Sequence, residues 1–141
     1  MPPRKPPLWT CPECGNKFTG KNMAHSCGQW TLAHHFDGKP RHRKLFNALR
    51  DALKKIGRTR MVISKTRIVF MTRMRFASVS VRADHLHCHI LLRDAIDDPF
   101  FIKSTQFTPR MWMHEFRVRD EADVEKVAPY LPAAYAVGNQ E

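Results

Sequence analysis

Within the first 27 residues stand three cysteines and a histidine whose types and spacing are those of metal ligands. Cys11 and Cys14 belong to the run Cys-Pro-Glu-Cys-Gly, and His25 and Cys27 flank Ser26. In such a turn two thiolates converge on one point, and Gly15 lets the backbone curl back so that its amides face the sulfurs. Residues two apart in an extended segment project to the same side, so His25 and Cys27 can close a tetrahedron around one ion. The expected set is Cys11, Cys14, His25 and Cys27, and the expected ion is zinc. His34 or His35 is the alternative to His25 as the histidine ligand.

Four protein ligands leave no position for a reactive water, so this zinc is expected to hold shape and not to do chemistry. Trp9 and Phe18 are its natural miniature core. The competing reading is a disulfide, which needs an oxidising compartment. Residues 1–7, Met-Pro-Pro-Arg-Lys-Pro-Pro, have no apolar run of the secretory kind, so the expectation is a reduced, cytoplasmic setting.

A second cluster is His85, His87 and His89, which alternate along one stretch and therefore share one side of a strand. Same-face residues on a strand stand about 6.6 Å apart, so one ion reaches two of these imidazoles but hardly all three without a bulge or help from another strand. The plain reading is surface histidines beside phosphates. His114 alternates with Trp112, Phe116 and Val118, which predicts a core histidine with a hydrogen-bond partner. Ser64-Lys65-Thr66 could hold a phosphate or carboxylate. As a catalytic pair it is weak, because adjacent residues of an extended chain face opposite ways.

Cys88 reads as a buried, inert thiol. There is no glycine-rich phosphate loop, no nucleophile elbow and no acidic cluster with a lysine suited to a nuclease. Nothing compels an enzyme, and the reading leans away from one.

These groups need elements to position them. The 141 residues suffice for one domain of ordinary size and a small zinc module. Residues 1–8 form a Pro-rich basic tail, 9–36 the zinc module and 37–138 the main domain. Trp30, Leu32 and Phe36 are expected to pin the module to that domain. Pro40 suits the first turn of a helix, and Leu45, Phe46, Leu49, Leu53 and Ile56 make its apolar stripe up to Gly57.

Beyond Gly57 the period falls to two. Runs at 60–64, 66–72, 76–82 and 85–92 predict strands, with a weaker one at 101–107 and a stronger one at 111–119. Short connections make a hairpin meander the economical topology. Asp120 is placed to cap a closing helix, with Val124, Val127, Leu131 and Tyr135 inward and Pro129 and Pro132 splitting it. The expected fold is α+β: an N-terminal zinc knuckle, then a two-layer domain of helix, antiparallel sheet and helix, with both helices on one face of the sheet.

Charge divides the chain. The first 75 residues carry 17 Lys and Arg against 3 acidic residues, the last 66 carry 7 against 10, and the net charge is +11. So basic a half suggests a polyanionic partner, with nucleic acid first, although a solubilising surface gives the same sum. No stretch approaches the roughly 20 apolar residues of a membrane-spanning helix. The outer face of the first helix offers Arg43, Lys44, Arg50, Lys54 and Lys55. Lys65, Arg67, Arg73 and Arg82 stand on or beside the strands, and Arg67, Val69, Met71, Phe76, Ser78 and Ser80 would share the sheet's open face. Arginines interleaved with apolar and aromatic groups suit single strands or splayed bases. The alternative is that the zinc module packs on that face.

Trp9-Thr-Cys-Pro-Glu-Cys14, His25-Ser-Cys27, His35-Phe36, Leu45-Phe46, Ser64-Lys-Thr-Arg-Ile-Val-Phe70, Phe76-Ala77, His114 and Ala134-Tyr135 together form a pattern. It resembles bacterial proteins carrying the domain of unknown function 5655 behind a short zinc-binding segment. The resemblance implies a fold and a metal more than an activity. The order of elements and the closing Ala-Tyr are also similar to MmcQ/YjbR-like and frataxin-like domains, some of which are thought to bind DNA or iron. Frataxin-type iron binding depends on an acidic first helix, and here that helix is basic.

The expected function is therefore a zinc-stabilised nucleic-acid-binding or regulatory module. The alternatives are a small-ligand or catalytic domain around Lys65, His87 and His114, and an interaction module whose basic face docks an acidic protein.

Overall fold

The computed structural model describes residues 5–23, 25 and 30–141. Two short strands, β1 (Trp9–Thr10) and β2 (Lys17–Phe18), pair antiparallel as an amino-terminal ribbon. Helices α1 (Leu32–Phe36) and α2 (Pro40–Lys54) follow, then strands β3 (Arg60–Ile63), β4 (Ile68–Met71), β5 (Arg75–Val81), β6 (Leu86–Leu92), β7 (Lys103–Thr108) and β8 (Met111–Val118). Helices α3 (Glu121–Val127) and α4 (Leu131–Gly138) close the chain around a 3-10 turn, Ala128–Tyr130. The protein is a mixture of helices and antiparallel sheet, α+β as its sequence predicts.

Pro40 starts α2 where its missing N–H costs nothing, and Leu45, Phe46, Leu49 and Leu53 are its buried stripe. The Phe46 ring lies 5.1 Å from that of Phe36 and 5.8 Å from that of Phe70, joining α1 and α2 to the sheet. Asp120 caps α3 by accepting the Asp123 N–H at 3.1 Å. Pro129 and Pro132, lacking N–H donors, fall where the closing helical segment breaks into α3, the 3-10 turn and α4.

The strand order is β3-β4-β5-β6-β8-β7, not a simple meander. Strand β8 inserts between β6 and β7. Its residues Met-Trp-Met-His-Glu-Phe-Arg-Val alternate half-buried and buried at the centre, and need neighbours on both sides. Lys-Ser-Thr-Gln-Phe-Thr of β7 is almost wholly exposed, a composition suited to an edge. Phe101 lies ahead of β7, buried in the core near the rings of His114, Phe116 and Tyr130.

Successive residues of each strand face opposite sides. Ile68, Phe70, Val79, Leu86, Cys88, Ile90, Phe116 and Val118 form one core with α2, α3 and α4. On the other side Val62 and Met71 are buried beneath Cys11 and Phe18 of the ribbon, with Val69 partly buried there. The ribbon thus covers the β3–β4 end of the second face. Phe76 departs from its expected place on that face. Pairing runs from Phe70↔Ala77 to Met71↔Arg75, which leaves Phe76 in a bulge, its ring buried and edge-on to Tyr135 of α4. Among the described residues no helix is long and apolar enough to cross a membrane.

Candidate metal and anion sites

The ribbon's turn is built as the Cys-Pro-Glu-Cys-Gly run requires. Gly15 adopts a left-handed φ of 76° and donates its N–H to the Cys11 carbonyl at 2.9 Å, while the Cys11 N–H reaches the Asn16 carbonyl at 2.8 Å. His25 returns over this turn. Its Nδ1 lies 2.7 Å from the Met23 carbonyl and its Nε2 3.2 Å from Cys14 Sγ. An Nδ1–H donated to that carbonyl fixes the tautomer that presents the Nε2 lone pair to a metal. Cys11 Sγ, Cys14 Sγ and a His25 nitrogen lie within 4.8 Å of one another, a group that could hold a metal ion. Phe18 is fully buried against it, its ring 4.4 Å from His25 and 6.2 Å from Trp9. Cys27 lies outside the described residues.

His35, the alternative histidine ligand, is engaged elsewhere: its Nε2–H donates to the Ser64 carbonyl at 2.7 Å. This bond ties α1 to the β3–β4 turn and shapes a pocket of about 380 Å³, whose lining includes Lys39, Lys65, Arg67 and Arg82 along with His34 and His35. No carboxylate lines it among the described residues. Four cations from the α1–α2 connection, the β3–β4 turn and the end of β5 meet there.

Arg67 also borders a second cleft, about 570 Å³, on the sheet face that the helices leave uncovered. Val62, Val69, Ser78, His89, Leu91 and Met113 line it together with Phe107, which is 64% exposed on the edge strand. His25 of the ribbon closes one side. A polar, cationic pocket and a largely apolar cleft therefore share one arginine.

Register sets the third group. On β6, His87 and His89 face the uncovered side, and Glu115 of β8 stands directly opposite His89. Glu115 Oε1 is 2.8 Å from His89 Nε2 and 3.4 Å from His87 Nε2. His85 pairs instead with Asp84, 2.6 Å away. Burial lowers the His89 pKa, an effect the Glu115 hydrogen bond only partly offsets. For Glu115 burial pushes the pKa up, but hydrogen bonds and charge from His89 and His87 prevail and hold it below the usual carboxylate range.

The remaining sequence candidates disperse. His114 is fully buried on the helix side, its Nδ1–H donating to the Trp112 carbonyl at 3.1 Å and its Nε2 accepting the Ile96 N–H at 3.0 Å. It shares no pocket with His87, which faces the opposite side, or with Lys65. Cys88 is buried, which pushes its thiol pKa far up and keeps it unreactive. Arg73 lies at the other end of the sheet against Gln140, Lys44 reaches Glu121 at 3.8 Å, and Arg43 sits over the Phe36 ring. Arg50 is half-buried, and Lys54 and Lys55 are exposed at the end of α2. Of the nine expected phosphate-contacting residues, Lys65, Arg67 and Arg82 come together; Lys39 joins them unforeseen because it precedes α2 and belongs to no stripe.

A family model described as a domain of unknown function (DUF5655) matches residues 33–138, three quarters of the chain. The chain belongs to this family. The DUF5655 match contains the basic pocket, the His87, His89, Glu115 group and all of the open cleft's lining except His25, and it excludes Cys11, Cys14 and His25. No curated protein and no solved structure matches the chain.

Proposed function

We propose that this protein is a zinc-stabilised nucleic-acid-binding module of the reducing, bacterial cytoplasm. The observation that carries the reading is the meeting of Lys39, Lys65, Arg67 and Arg82 in one carboxylate-free pocket that continues, through Arg67, into an apolar cleft. The pocket takes a backbone phosphate. The cleft takes an unpaired base, packed on Val69, Leu91 and Met113 and stacked on Phe107. Zinc, held by Cys11, Cys14, His25 and Cys27, makes the ribbon a knuckle and fixes it as one wall of the cleft. Helix α2 adds a diffuse positive field through Arg43, Lys44, Arg50, Lys54 and Lys55 that steers the polyanion.

Direct support is a binding assay on single- and double-stranded DNA and RNA with nuclease-treated protein at several salt concentrations. Affinity is expected to fall steeply with salt and to favour single strands. Arg67→Ala is expected to lower the salt slope by about 1, as loss of one phosphate contact does. Absence of binding, or an affinity indifferent to salt, removes this reading and favours an acidic protein as the partner of the same cationic pocket.

A further inference from the structure

We infer that His87, His89 and Glu115 form a second divalent-metal site that, unlike the ribbon's, leaves coordination positions open to solvent or ligand. The site owes nothing to the nucleic-acid reading. Three observations build it.

The first is convergence. The two imidazole Nε2 atoms meet at a single oxygen, Glu115 Oε1, at 2.8 and 3.4 Å, and the three donor atoms lie within 4.8 Å of one another. Around an ion with bonds near 2.0–2.1 Å, tetrahedral donors stand about 3.3 Å apart. Both observed spacings lie within about half an ångström of that value, so an ion enters with small rotations of the rings.

The second is orientation from outside. Ser78 Oγ is 3.4 Å from His89 Nδ1, on the far side of the ring from Glu115. Metal binding displaces the Nε2–H that donates to Glu115 in the metal-free protein, and a Nδ1–H directed at the Ser78 hydroxyl then leaves Nε2 as the lone-pair donor, the arrangement that supports metal-bound histidine elsewhere. The third is access. The side chains of His87, His89 and Glu115 are 17%, 13% and 21% exposed, sheltered yet reachable, and His89 lines the open cleft. Among the described residues no further His, Cys, Asp or Glu joins the three.

Two imidazoles and one carboxylate without thiolate select a borderline transition ion such as Zn²⁺, Co²⁺ or Fe²⁺ over Mg²⁺ or Ca²⁺, which favour all-oxygen shells. With three protein donors on one side, the remaining positions carry water or an anionic oxygen such as that of a phosphate. That is the geometry of a site that binds or activates a ligand, and among the described residues no thiolate joins it.

The experiment is Co²⁺ titration of tag-free, metal-stripped full-length protein, followed by absorption and by metal analysis after desalting. Thiolate-bound cobalt gives an intense near-ultraviolet charge-transfer band; a His₂Glu site gives weak visible bands alone. The expected result is one equivalent bound without the charge-transfer band. That equivalent disappears in His87→Ala/His89→Ala and in Glu115→Gln, survives in His85→Ala, and weakens about tenfold in Ser78→Ala. In wild-type protein, imidazole NMR signals of His87 and His89 are expected to shift on Zn²⁺ addition, a readout independent of how the variants fold. The inference is overturned if every bound equivalent carries the thiolate band, if the equivalent without it persists in the double variant, or if the His87 and His89 signals do not move.

Discussion

The two histidine-bearing clusters are made by different means. His25 follows Cys14 by 11 residues, a short way beyond the second strand of the ribbon, whereas Glu115 stands 26 residues from His89 and 28 from His87. The ribbon's buried apolar support is small: Cys11 and Phe18 against Val62 and Met71 of the sheet. The sheet cluster is fixed by a ladder with the whole helical core beneath it. On the proposed reading the first kind of cluster takes its shape from its ion, whereas the second has its shape first and offers it to an ion.

The largest effect that separates the two follows from metal removal. Chelation is expected to abolish hydrogen-exchange protection in the ribbon, since structural zinc in small modules contributes apparent energies of about 10–16 kcal/mol. Protection in β5, β6 and β8 is expected to persist. A ribbon still protected after exhaustive chelation, with no metal detected, would break the contrast. Next comes Phe46→Ala, which empties a fully buried aromatic site between α1, α2 and β4 and is expected to cost about 3–5 kcal/mol in global denaturant unfolding. Phe18→Ala, equally buried but in the ribbon, is expected to open the ribbon locally and to shift the global midpoint far less.

His114→Leu sharpens the distinction on the helix side of the same strand that carries Glu115. It strands the Ile96 N–H and the Trp112 carbonyl, and is expected to cost about 1–3 kcal/mol while leaving metal binding by the opposite face intact.

The smallest effect concerns acid. Tyr130 O–H and the Phe100 N–H both donate to Asp98 and lower its pKa. A carboxylate with a depressed folded pKa contributes stability above its unfolded value, near 3.9, and that contribution fades as pH falls through the folded value. Tyr130→Phe is expected to flatten slightly the decline of thermal stability below about pH 4.

What could be read from the chain divides along the same line. The Cys-Pro-Glu-Cys turn, the stripe of α2, the Asp120 cap and the breaks at Pro129 and Pro132 are local, and spacing alone points to them. The alternation that buries His114 likewise places Glu115 on the other side of its strand. That Glu115 faces His89 was not legible, because it depends on β8 pairing with β6, and sequential adjacency favours a meander. Lys39 in the basic pocket and Phe76 in a bulge were hidden for a related reason: each position is set by how the chain bends between elements, and periodicity says nothing about bends. The fourth ribbon ligand proposed from spacing, Cys27, lies outside the described residues.

The insertion of β8 between β6 and β7 has a consequence for synthesis. A ribosome releases residues 103–108 before 111–118, so β7 has no ladder to join until its successor docks, and the β6 edge with Leu86, Ile90 and Leu92 waits unpaired in the meantime. Chains halted before Met111 present that bare apolar edge to one another, and such fragments are the ones to aggregate.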